Sequence, residues 1–172
     1  MIATAVQFYD VVLFFHILAV VLALGPTFAY GLFIAVAQRE GGIAVPAVGR
    51  AMMTWDRVAG TIGLTVVLLS GIYLVSNSPA WTASDFFVSW GFVTILLLFG
   101  VTHGYFAPKM RQSVALAERD LGTGGGPEGP EGITVKLSSE FESLGAQIAK
   151  VGTAVGLLIV LTIYVMTAKP FL

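Results

Sequence analysis

A chain of 172 residues in which 56% are hydrophobic and 11% are charged cannot hide its apolar surface in one soluble core without leaving large exposed patches. The formal net charge of -1 offers no basic surface to a nucleic-acid backbone, so nucleic acid is excluded as a partner. There are no cysteines, which excludes disulfides, iron–sulfur ligation and thiol chemistry and leaves any redox role to a cofactor.

The solvent that suits this composition is lipid. Inside a bilayer each segment must satisfy its own backbone, which leaves helices or a closed barrel. The apolar runs are about twenty residues long and do not alternate, which is helical hydropathy rather than the pattern of barrel strands. The expected fold is all-α, a single integral membrane four-helix bundle spanning 1–172. The N-terminus has no cationic start or cleavage site and carries Asp10 where the first apolar run begins, so the first span is read as retained.

Span one covers about 8–36 and contains Gly25-Pro26, where the missing backbone donor predicts a kink. Span two covers about 58–75, between Trp55-Asp56-Arg57 and the turn signal Ser76-Asn77-Ser78-Pro79. Span three covers about 86–107 and meets Pro108-Lys109, and span four covers about 148–167. Between them, Lys109 to Leu121 reads as a helical continuation of span three, and Gly122 to Gly132 (GTGGGPEGPEG) as a flexible linker. Ser139 followed by Glu142 has capping-box spacing, so the fourth helix is expected to start before the membrane. Helices three and four should therefore extend into the cytoplasm. Asp10, Asp85, Asp56 and Arg57 lie at span boundaries and read as headgroup anchors.

Arg39, Arg50, Arg57, Lys109, Arg111, Arg119, Lys136 and Lys150 fall in or beside the first and third connections, whereas the second has neither Lys nor Arg and is flanked by Trp81 and Trp90. Basic residues mark the cytoplasmic side and tryptophans an interface, so both termini are expected outside.

Lipid gives helices no hydrophobic reason to associate, and small residues allow the close approach that replaces it. Gly100 and Gly104 form one GxxxG pair, and Gly152 and Gly156 another; all four are assigned to helix packing. His16 lies well inside span one, where an ionisable side chain is costly and normally faces the bundle interior. Helical spacing places Ala19, Val20, Ala23, Thr27 and Tyr30 on its face. Three readings are open for His16: a neutral core histidine bonded to a neighbouring hydroxyl, an axial ligand of haem iron, and a proton relay. Under the second, Thr27 and Tyr30 would border the cofactor. His103, near the cytoplasmic end of span three, is either a solvated boundary residue or a separate cofactor site. At 1.5 Å per residue, His16 should lie roughly 12 Å and His103 roughly 25 Å below the outer surface, too far apart to share one iron.

The sequence lacks HExxH, Walker, Rossmann and GxSxG patterns, so catalysis by side chains alone is not expected. Thr61, Thr65, Ser70, Thr94 and Thr102 would line at most part of a narrow pathway in an oligomer.

The first-span run Phe14-Phe15-His16-Ile17-Leu18-Ala19-Val20-Val21 with Gly25-Pro26-Thr27-Phe28, and the Leu69-Ser70-Gly71-Ile72-Tyr73-Leu74 run, resemble a bacterial family of four-helix integral membrane proteins of unassigned function. That resemblance implies a multi-pass place in the bacterial cytoplasmic (inner) membrane. More distantly, the first-helix histidine resembles HemJ-type protoporphyrinogen oxidases, which are associated with b-type haem, and CopD-type copper-resistance proteins. The HemJ-type pattern has a Pro-Arg pair where this chain reads Tyr30-Gly31-Leu32-Phe33, so the oxidase activity does not carry over. The five methionines form no sequence cluster suited to copper.

Three functions follow: a membrane protein binding haem b for electron transfer or haem handling, a non-catalytic membrane subunit or assembly factor, and an oligomeric channel or transporter. Partners expected are the lipid bilayer and either further copies of the chain or another membrane protein.

Overall fold

A computed structural model describes residues 7–123 and 136–170. The linker expected at Gly122–Gly132 falls outside the described residues from position 124 onward. Four helices are long and apolar enough to cross a membrane: α1 (Phe8–Arg39), α2 (Val45–Ser76), α3 (Phe86–Gly122) and α4 (Ser139–Ala168). At 30 to 37 residues each, they are about 45–55 Å long, well beyond a hydrocarbon core of about 30 Å.

Three of the four helices depart from regular α geometry. In α1 the α-helical ladder gives way to a 3₁₀ segment over Gly25–Ala29, beginning at the Gly-Pro pair. In α3 a π-helical turn over Thr102–Phe106 comes directly before Pro108. The proline ring collides with a carbonyl one turn back, and the wider turn makes room for it. α2 carries a second π turn over Asp56–Gly60. α4 starts at an N-cap one residue earlier than its capping-box spacing suggests: Ser138 Oγ accepts from the Phe141 N–H at 3.3 Å.

The start of α2 corrects the sequence reading, which begins span two near residue 58. The chain is helical from Val45, with Pro46 in the first turn, where its missing N–H is no loss. The turn before it is tight because Gly41 and Gly42 adopt positive φ values of 90° and 80°. All four helices therefore extend beyond their most apolar windows, rather than α3 and α4 alone.

α1 packs on α2, α2 on α3 and α3 on α4, with the α1–α4 side the loosest. Three apolar layers stack along the bundle. Phe87, Val88 and Val165 close the end that holds both chain termini, Leu64, Ile95, Leu98 and Ile159 fill the middle, and Val45, Ala117, Phe141 and Leu144 are among those at the far end. The far end also carries the ion pairs Arg50–Glu118, Arg119–Asp120 and Arg119–Glu140. The exterior between the ends is apolar, with Leu32, Val93 and Leu157 each more than 60% exposed. Such a belt suits lipid rather than water.

Candidate functional site

The site begins with the close approach of α1 to α2. A Cβ added at Gly63 would lie 2.7 Å from the Ala23 Cβ and 3.5 Å from the Ala19 carbonyl oxygen, so the two backbones are in contact. Ala19 and Ala23 are buried in that seam. Towards the termini end the same seam holds His16, whose Cε1 would be 3.5 Å from a Cβ at Gly71 and whose Nδ1 lies 2.8 Å from Ser70 Oγ.

The hydroxyl contacts set the tautomer. Ser70 Oγ donates to the Val66 carbonyl one turn back, with the Val67 carbonyl 3.2 Å away. Its single proton is thereby committed, so Oγ accepts from His16 Nδ1–H. Nε2 is then the unprotonated nitrogen, with no side-chain partner among the described residues, while the Val67 backbone also lies within hydrogen-bonding reach of the ring. Tethering one ring nitrogen to fix the other as a ligand is the usual arrangement behind metal-binding histidines.

His16 lines a half-open cavity of about 540 Å³ that all four helices bound. This volume falls within the range of about 300–1,000 Å³ typical of small-molecule and cofactor sites. The wall is overwhelmingly apolar, with Val20, Leu68, Phe92 and Ile163 among its members. Its polar groups are few. Thr94 and Thr162 are 3.4 Å apart, and Trp90 Nε1 donates to Thr162 at 3.0 Å. Met166 supplies a thioether to the wall, its methyl pressed over Gly91, where an added Cβ would lie 2.1 Å away. Lys169, the C-cap of α4, closes the termini end with its Nζ 4.1 Å from the Trp81 ring centroid.

The other residues singled out from the sequence are not brought to His16. Thr27 is exposed and donates to the Leu24 carbonyl, and Tyr30 donates to Asp56 Oδ1 at 2.7 Å; neither lines the cavity. The 3₁₀ segment explains this, because five residues at 3.0 rather than 3.6 per turn rotate the following face by about 100°. His103 has both ring nitrogens engaged, Nδ1 with the Phe99 carbonyl at 3.0 Å and Nε2 with Thr61 Oγ1 at 3.2 Å. The partners of the two histidines, Ser70 and Thr61, lie nine positions apart on α2, about 13 Å along the axis. The histidines occupy separate levels, as the depth argument anticipates.

The four glycines assigned to packing differ in their surroundings. A Cβ at Gly100, Gly104 or Gly152 would meet nothing within 4 Å, and at Gly156 it would meet the Phe28 ring at 3.5 Å. Within the chain the tight contacts fall instead at Gly49, Gly63 and Gly91. Of the hydroxyls considered for a pathway, Thr61 bonds His103, Thr65 bonds its own helix, and Thr94 is buried beside Thr162.

Sequence reasoning missed Ser70 as the partner of His16, and Met166 and Lys169 as wall residues. Depth could have found the first: His16 is eight positions from the start of α1 and Ser70 six from the end of the antiparallel α2. Lys169 is the ninth of the chain's nine basic residues, set apart from the other eight at the opposite end. Among the described residues no group of three or more His, Asp or Glu side chains gathers to hold a metal ion. Fold and site together define a membrane-type four-helix bundle with a histidine on the wall of an apolar cavity. Comparisons with protein-family models, with curated proteins and with solved structures return no match to this chain.

Proposed function

We propose that the bundle binds a b-type haem in its internal cavity, with His16 as axial ligand, for electron transfer or haem handling in a bacterial cytoplasmic membrane. The observation that carries this reading is the tethered histidine: Nδ1 is held by Ser70, and the ring borders a largely apolar cavity of about 540 Å³. A lone imidazole with no clustered donors suits a group that brings its own four equatorial ligands better than a bare ion. His16 would hold the iron, Ser70 would orient the ring, and Met166 is a soft donor on the α4 wall. The apolar walls would exclude water and tune potential through their low polarity. When bound, haem supplies one-electron chemistry at its iron. The eight basic residues at the far end favour that end as cytoplasmic, which puts both termini outside.

A visible spectrum of protein purified in mild detergent, oxidised and then dithionite-reduced, tests the reading. The expected result is a Soret band with sharp reduced bands, lost in His16→Ala. Colourless protein from haem-replete cells would sink it.

One observation favours an additional role as a membrane subunit. Gly100 and Gly104 are exposed on α3 with open space above them, the kind of surface on which a second transmembrane helix packs closely. Co-purification of another membrane protein or of further copies, lost in Gly100→Leu, tests it.

A further inference from the structure

Lys169 belongs to the cavity wall, yet the haem reading makes no use of it. It lies at the end of α4 in a left-handed conformation, with φ 45° and ψ 54°. A non-glycine residue there is uncommon and locally strained. Its side chain lies against the end of the bundle, with Nζ 4.1 Å from the Trp81 ring centroid and 5.5 Å from that of Phe87. Both of those aromatic residues also line the cavity.

The cation is well placed to meet an anion in the cavity it lines. Lys169 forms no ion pair among the described residues. Of the described carboxylates at the same end, Asp85 accepts from the Thr82 N–H and Asp10 from the Gln7 N–H, and neither pairs with Lys169. A half-buried ammonium over two π faces is attracted to them, yet its three donors still call for acceptors. Lys169 lines the apolar cavity, so a ligand held there is within reach of its donors.

We infer that the cavity takes an apolar molecule bearing a terminal carboxylate, and that Lys169 binds this carboxylate at the termini end. The inference rests on the cavity reading above but not on iron. His16 lies eight positions, about 12 Å, along α1 from the end of the bundle at which Lys169 caps α4, and a porphyrin with acidic side chains carries both an iron and carboxylates. A fatty acid presents the same chemistry, a carboxylate on an apolar body.

The test measures binding to the full chain in phosphatidylcholine nanodiscs, comparing haem b with its dimethyl ester and oleate with methyl oleate, for wild type, Lys169→Gln and Lys169→Arg. The expected result is a preference of about tenfold for the free acid over its ester, the size of one charge-assisted hydrogen bond. Lys169→Gln should erase that preference and Lys169→Arg should keep it. If oleate shows the preference while haem does not bind, the inference stands, the ligand is a fatty acid, and the haem reading falls. If haem binds through His16 but the esters bind as well as the acids, the haem reading stands and the inference is overturned. Preference that survives Lys169→Gln, or no carboxylate-dependent binding of either ligand, overturns it as well.

Discussion

Ser70 Oγ lies 2.8 Å from His16 Nδ1 while donating its own proton to the Val66 carbonyl, so one hydroxyl ties the α1 imidazole to the α2 backbone. If His16 ligates haem, Ser70 orients it and raises its basicity without touching the iron. Ser70→Ala should then leave a bound haem with the same spectral type but an affinity lower by about 10–100-fold, the usual cost of losing an outer partner of a metal ligand. His16→Ala should abolish the spectrum. A haem titration followed at the Soret band separates the two, and unchanged affinity in Ser70→Ala would show that the hydroxyl satisfies the ring and nothing more.

The seam that positions this pair depends on Gly63, where an added Cβ would stand 2.7 Å from the Ala23 Cβ. Neither atom is the end of a flexible chain, so the helices must separate. Gly63→Ala is expected to destabilise the bundle by about 1–3 kcal/mol, the usual cost of overpacking. Gly100→Ala and Gly104→Ala meet open space and should be neutral, or stabilising by up to about 1 kcal/mol through helix propensity. Thermal unfolding in detergent reads all three. A loss at Gly100 or Gly104 as large as at Gly63 would mean that a second helix covers that face in the solubilised protein.

What the sequence revealed followed from strong, local physics. Apolar runs near the length of a bilayer marked all four spans, and Gly25-Pro26 marked the break in α1, because ring sterics act within one turn. The first half of α2 was hidden because Arg50, Asp56 and Arg57 lower its hydropathy, although 45–57 is helical. The helix propensity of this stretch was outweighed by a signal that reports lipid exposure rather than helicity. Thr27 and Tyr30 were placed beside His16 by assuming an unbroken period of 3.6, which the 3₁₀ segment breaks. Gly100, Gly104 and Gly152 show a different limit: a GxxxG spacing says that a helix face is open to close approach, not that this chain supplies the neighbour.

At the far end, Asp120 joins α3 to the start of α4. It is 8% exposed, accepts the Ser138 N–H at 2.8 Å and is paired with Arg119, which also reaches Glu140. Ser138 in turn caps α4. Asp120→Ala removes the acceptor from a part-buried N–H and a partner from Arg119, and should loosen the junction of α3 with α4. Because the damage is confined to the first turn of α4, limited proteolysis should cut near Ser138 faster in the variant, while the α1–α2 seam keeps its protection. Equal cleavage rates in the two proteins would show that Asp120 does not hold the helices together.

Tyr30 and Asp56 provide a test of the opposite kind, a contact that should matter for stability and not for the cavity. The Tyr30 hydroxyl donates to Asp56 Oδ1 at 2.7 Å where α1, just past its 3₁₀ segment, meets the π turn of α2. Both side chains are half-buried, so removing the donor leaves a carboxylate short of a partner. Tyr30→Phe is expected to cost about 1–3 kcal/mol. Asp56→Asn can still accept through its amide oxygen, so its cost should be smaller. A double-mutant cycle on SDS-induced unfolding should return a coupling of about 0.5–3 kcal/mol, as residues in one hydrogen bond do. Haem affinity should not change in either variant, since neither residue lines the cavity. Additive effects would mean that the bond contributes nothing net. A changed haem spectrum in Tyr30→Phe would restore this residue to the cofactor face from which the 3₁₀ segment has turned it.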